Sequence, residues 1–149
     1  MQENEAIVAE IETLLKGAGL SLVEFSLRRR KGSATAKAVV YSPAGTGTDE
    51  CSKAHRLIYP RLQLLLGIDD PYLEVSSPGI DRMIRSPREY SLFAGKGLRI
   101  LLANESEWIK GKLVSATEKE LLLATEKGTE TFDLSAVAKA RLDSTMEGD

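Results

Sequence analysis

The chain has 149 residues, of which 42% are hydrophobic and 28% charged, and its net charge is −2. That composition is globular rather than disordered, lacks the basic excess of a general nucleic-acid binder, and has one cysteine, Cys51, so no internal disulfide can form. No apolar run has the length of a membrane span, and the acidic start MQENEAIVAEIE has neither the basic nor the apolar region of a secretory signal, so a cytoplasmic location is expected.

Ile7, Ile11, Leu14, Leu15 and Ala18 recur at helical spacing and predict a first helix over residues 3–17. Glu3 and Glu5 suit the positive end of its dipole, Lys16 the negative end, and Gly17 and Gly19 offer a stop. Val23, Phe25 and Leu27 alternate with Glu24, Ser26 and Arg28, the pattern of a half-buried strand. A turn at Lys31-Gly32-Ser33 and a second strand over 36–41 place Arg28–Lys31 at the end of a hairpin. After the loop SPAGTGT, Thr48 is a good N-cap with Asp49 and Glu50 behind it. The helix that follows carries Cys51, Ala54, Ile58, Leu62 and Leu65 on one face, and Gly67 ends it. Pro60 is expected to kink or divide this helix, because an interior proline loses a backbone bond and clashes with the preceding turn at a cost of roughly 3 kcal/mol.

Tyr72–Val75 reads as a short third strand, and Ser77-Pro78-Gly79-Ile80 suits a type II turn. Ser86, Pro87 and Glu89 have the spacing of a helix start with a capping box. Segments 98–103, 107–117, 120–125, 130–134 and 137–143 are short and β-like, mostly separated by compact turns, which suggests a small barrel. The fold expected is therefore α+β: an N-terminal two-layer α/β domain over 1–80 with helices on an about three-stranded sheet, a linker over 81–87, a small β-barrel over 88–143 and a frayed tail over 144–149.

Candidate chemistry is sparse. Ser76-Ser77-Pro78-Gly79 is not a nucleophile elbow, which needs Gly-x-Ser-x-Gly between a strand and a helix, and the sole histidine, His55, falls in the second helix. Gly45-Thr46-Gly47 lacks the third glycine of a dinucleotide loop, Glu50 standing there instead. Cys51 and His55, four apart on one helix, supply only two ligands, too few for tetrahedral zinc. Arg28, Arg29, Arg30 and Lys31 can straddle phosphates or simply solvate a strand end. Lys110 and Lys112 share a strand face with Trp108, an arrangement that suits RNA or the capping of a barrel end. Asp81 and Arg82 suit a charge-assisted bond that sets the angle at the domain joint, together with the turn at Pro78 and Gly79.

With these segments in place, the chain resembles a bacterial ribosome maturation factor of the RimP family. The resemblance rests on LEVSSPGIDR at 73–82, GLSLVEFSL at 19–27, the acidic Cys-containing helix start at 48–51, Phe93-Ala94-Gly95-Lys96-Gly97-Leu98, and AKARL at 138–142. Met83 departs from the family pattern, which has proline after Asp-Arg, and so does Pro60. The resemblance implies an SH3-like, Sm-like C-terminal barrel and a monomeric, non-catalytic factor for 30S assembly that uses neither nucleotide nor metal. Its implied partners are small-subunit rRNA and a basic ribosomal protein near the decoding region. On that reading Arg28–Lys31, Lys110 and Lys112 contact rRNA, and Asp49 and Glu50 face the basic protein. A free-standing Sm-like module acting on small RNAs is the alternative.

Overall fold

In the computed structural model, which describes residues 2–146, the chain divides into two compact units, the first ending at Pro78 and the second starting at Gly79. The first runs α1 (Gln2–Lys16), β1 (Ser21–Arg30), β2 (Ser33–Tyr41), α2 (Thr48–Leu66) and β3 (Tyr72–Ser76). Its sheet has the order β1-β2-β3, with β1 antiparallel and β3 parallel to the central β2. The β1–β2 turn is Lys31-Gly32, and Gly32 has φ 74°, a left-handed conformation that glycine adopts without strain.

Both helices pack on one face of this sheet. Ile7, Ile11 and Leu15 of α1 and Ala54, Ile58, Leu62 and Leu66 of α2 meet Ala34, Ala36, Ala38 and Val40 of β2 and Leu73 of β3. Alternation on β2 does this directly: the even-numbered residues from Ala34 to Val40 are buried, while Ser33, Thr35 and Lys37 are exposed. A register shift between Leu22 and Glu24 inserts Val23 as an extra residue, so Leu22 and Val23 are both buried.

Pro60 neither splits nor ends α2, which is one helix of 19 residues. Burial of Ile58, Leu62 and Leu66, at about 1.5–3 kcal/mol each, outweighs the roughly 3 kcal/mol cost of the proline. Pro60 also lies on the exposed side, where water can reach the carbonyl it leaves without a donor. The N-cap is Gly47, one residue earlier than expected; its N–H donates to the Glu50 carboxylate at 2.7 Å.

The second unit contains α3 (Glu89–Leu92), β4 (Gly97–Leu102), β5 (Ile109–Ala116), β6 (Glu120–Thr125), β7 (Gly128–Asp133) and β8 (Val137–Leu142). The five strands form one antiparallel sheet in the order β7-β6-β5-β4-β8. The expected barrel is thus an open, five-stranded sheet: among the described residues no ladder joins β7 to β8. Its core is Phe93, Leu98, Ile100, Leu113, Leu121, Leu123, Ala140 and Leu142. Gly111 lets β5 and β6 approach closely, since a Cβ there would sit 2.8 Å from the Ala124 carbonyl oxygen.

Three local expectations change. Gly79 does not take the positive φ of a type II turn; the turn lies two residues later, with the Arg82 N–H donating to the Gly79 carbonyl. Glu89 forms no capping box, because α3 begins at Glu89 itself and its carboxylate is buried in another contact. Of the tail expected to fray, Ser144–Met146 form a 3-10 turn whose Thr145 N–H and hydroxyl both donate to Asp143; residues 147–149 lie outside the described residues.

Candidate nucleic-acid interface

The run Arg28–Lys31 does not act as one cluster. The two-residue period of β1 sends Arg28 and Arg30 to the open face of the first sheet and Arg29 to the helix face. There the Arg29 guanidinium donates to the Leu66 carbonyl at 3.2 Å and so caps the C-terminal end of α2, where the helix dipole favours a cation. Lys31 sits in the hairpin turn and is exposed. Arg28 and Arg30 are joined on the open face by Lys37, a cation that sequence inspection passes over because it stands alone in β2. The register pairs Arg28 with Thr35, Arg30 with Ser33 and Lys37 with Ser26. A groove of about 490 Å³ runs among these side chains. Among the described residues Arg28, Arg30 and Lys37 have no acidic partner within ion-pair distance.

On the second sheet Lys110 and Lys112 project outward from β5, and Ile109, Gly111 and Leu113 turn toward the core. Trp108 stands just before β5, about one-third exposed. The strand order then adds what spacing within β5 does not reveal. Arg99 on β4 lies directly opposite Lys110, and Arg141 on β8 lies directly opposite Arg99, so three cations form a row across three strands. Lys139, opposite Leu101, extends the same face. Like charges facing one another across strands are unfavourable. Part of that cost is offset by Asp143, which is buried and places Oδ2 3.7 Å from Arg99 Nη1. The hydroxyl of Thr145, its backbone N–H, and the nearby Lys110 and Arg99 hold the Asp143 carboxyl below the usual carboxylate range, against the opposing effect of burial. Arg99 also lies over the Trp108 ring, 5.6 Å from its centroid.

Residues 82–84 run alongside β8. The Leu142 N–H donates to the Arg82 carbonyl and the Ile84 N–H to the Ala140 carbonyl, which brackets Met83 opposite Arg141. The Arg82 side chain turns to Glu89: Nε donates to Oε1 at 2.9 Å, and the Arg85 N–H donates to Oε2 at 3.2 Å. Asp81 is exposed, and its carbonyl accepts from Arg141. Arg82 is therefore paired with a glutamate seven residues on rather than with its neighbour Asp81.

Comparison with known proteins gives this arrangement a family. The family described as the RimP N-terminal domain matches residues 10–81. A protein called "Ribosome maturation factor RimP" from Borrelia garinii subsp. bavariensis is 31% identical over 141 residues, covering 94% of this chain and 95% of its own length. The protein of the same name from Borreliella afzelii is 31% identical over 144 residues, covering 94% and 95%, and that from Borrelia hermsii is 28% identical over 140 residues, covering 94% and 96%. The chain belongs to the RimP family.

Two features of this RimP-family chain take on meaning beside that match. The two bonds that bracket Met83 use the Arg82 carbonyl and the Ile84 N–H, not its own N–H. The same bracket is therefore open to a residue without a donor. The LEVSSPGIDR stretch splits into two jobs: Leu73 is buried under the helices, while Arg82 is clamped by Glu89. Pro78 is half-buried at the end of the first unit, and Gly79 opens the turn of the second.

The remaining candidates are accounted for locally. Glu50 caps α2, and Asp49 beside it is exposed in the first turn. The His55 ring stacks on Tyr59 at 5.5 Å. Burial, and secondly the charge of Glu50, push the Cys51 thiol up, which disfavours the reactive thiolate. Among the described residues no three His, Cys, Asp or Glu side chains gather as metal ligands would, and no helix is long and apolar enough to cross a membrane.

Proposed function

We propose that this protein is a ribosome maturation factor that acts on the small (30S) subunit by binding and without catalysis. It holds a neighbourhood of rRNA and a basic ribosomal protein in the immature particle. The observation that carries the reading is the row Lys110–Arg99–Arg141. A chain of net charge −2 keeps cations opposed across three strands, at a cost to its own stability that a polyanionic partner would relieve. Lys112 widens that row, and Arg28, Arg30 and Lys31 supply a second set of phosphate-binding groups. Exposed Asp49 faces the basic protein, with Glu50 adding charge beside it. Such a factor works in the cytoplasm as a monomer. The pairing of residues 82–84 with β8 supports the monomer, since it covers an edge that a ring of Sm-like subunits would need.

The test is to delete the gene and profile ribosomes during rapid growth, then follow co-sedimentation of the purified protein with immature 30S particles. Accumulated precursor rRNA, a shortage of 30S subunits, and binding that weakens when Arg99 and Arg141 are reversed to glutamate are expected. Normal 30S subunits and normal rRNA processing would overturn the proposal. A hexamer or heptamer that binds short RNAs would point to an Sm-like module instead.

A further inference from the structure

The open face of the first sheet carries more than phosphate-binding cations. The β2–β3 register places Tyr72 opposite Thr35, which is itself opposite Arg28. Arg28, Thr35 and Tyr72 thus form one row, spanning two strand spacings or roughly 10 Å. Tyr72 is 57% exposed, and among the described residues neither its ring nor its hydroxyl has a partner. The short side chains of Ser33 and Thr35 keep the sheet low between Tyr72 and the two arginines. The next row is Ser26, Lys37 and Glu74, and the one beyond is Glu24, Val39 and Ser76. Charge along the face therefore changes from cationic at the hairpin end to acidic at the far end.

We infer that this face is a binding platform for a single-stranded RNA segment, with a base stacked on Tyr72 and the flanking phosphates on Arg28 and Arg30. The inference rests on the rRNA-binding reading above and names what that face recognises. Stacking on an exposed aromatic is tolerant of base identity because every base has a π-face. It needs an unstacked base, so a duplex cannot use it. Glu24 and Glu74 repel phosphate from the far end and leave the backbone one favourable place, over the hairpin arginines. The second sheet offers a different chemistry, a cationic row whose one aromatic, Trp108, is already covered by Arg99, and it suits backbone phosphates in any helical form.

The test is fluorescence anisotropy of a labelled hexa-adenylate RNA with the full chain, alongside a labelled RNA duplex. Tyr72→Ala is expected to weaken the single strand by about 5-fold to about 150-fold, stacking being worth roughly 1–3 kcal/mol per base, and to leave the duplex unchanged. Tyr72→Phe keeps the ring and is expected to stay within about 2-fold of the native protein. Reversal of Arg28 and Arg30 to glutamate is expected to lower the salt slope for the single strand by about 1.4, at about 0.7 for each phosphate no longer neutralised. An unchanged affinity of Tyr72→Ala for the single strand overturns the platform, and so does an equal loss on the duplex. If Tyr72→Ala binds normally while the arginine reversals abolish both RNA and precursor-particle binding, the platform fails and the maturation-factor reading stands. If Tyr72→Ala loses the hexanucleotide but no variant of either sheet alters binding to precursor particles, the platform stands and that reading fails.

Discussion

Removing the Glu89 carboxylate tests whether the second unit is organised around a buried charge pair. Glu89 is 1% exposed, and the side chain of its partner Arg82 is 10% exposed. One carboxylate satisfies two donors, Arg82 Nε and the Arg85 N–H. In Glu89→Ala the guanidinium loses its counter-charge in a nearly dry site and the amide loses its acceptor. Breaking a buried pair from one side costs about 3–5 kcal/mol. Arg82 makes further interactions, which places the expected loss at the lower end, about 3 kcal/mol. Trp108 is the only tryptophan and belongs to the second unit, so its fluorescence during urea denaturation reports that unit in the intact chain. With an m-value of about 1 kcal/mol/M for a unit this small, the midpoint should fall by about 3 M. The double variant Arg82→Met/Glu89→Leu should recover most of the loss, because replacing both charges with apolar groups avoids the uncompensated ion. A midpoint for Glu89→Ala within about 1 M of the native protein would refute the reasoning, as would a double variant no better than the single one.

Four further outcomes can be checked. The folded-state carboxyl of Asp143 is held low, so its contribution to stability is present above the unfolded value near 3.9 and is lost as pH falls through the folded pKa; Asp143→Asn should flatten the decline of the Trp108-monitored urea midpoint below about pH 4, and an equal decline in both proteins would contradict this. Gly111→Ala drives a Cβ to within 2.8 Å of the Ala124 carbonyl oxygen and should cost about 1–3 kcal/mol in urea denaturation. Met83→Pro should leave stability within about 1 kcal/mol of native, because neither bond of the bracket uses the Met83 N–H and proline restricts the unfolded chain; a loss of several kcal/mol would show that the bracket cannot accept the ring. Arg29→Ala should lower the stability of the first unit by about 0.5–1.5 kcal/mol, seen by thermal melting, yet leave RNA affinity nearly intact, since its guanidinium is spent on the end of α2.

Much of the fold is legible in the chain because its signals are local. Alternation from Val23 to Leu27, the Lys31-Gly32 turn and the helical spacing from Ile7 to Leu15 depend only on neighbours in sequence, and each element forms close to its expected bounds. The same period of two already separates Arg29 from Arg28 and Arg30, a distinction that reading the run as one charge cluster conceals. Pro60 leaves α2 undivided for the opposite reason: its local cost is real, and burial of Ile58, Leu62 and Leu66 against a distant sheet outweighs it.

What the sequence alone determined was the inventory: an α+β pattern followed by a run of short strands, and cations without an obvious arrangement. Which cations lie side by side was decided only by tertiary structure. Arg99, Lys110 and Arg141 lie far apart in the chain and become one row because β4 is flanked by β5 and β8. Tyr72 shares a face with Arg28 because β3 returns parallel to β2 after α2. Glu89 becomes the partner of Arg82 because the turn at Gly79–Arg82 and the start of α3 converge on one buried spot. Strand pairing between distant segments is set by the burial each strand achieves against the whole core, a global quantity that no window of sequence contains.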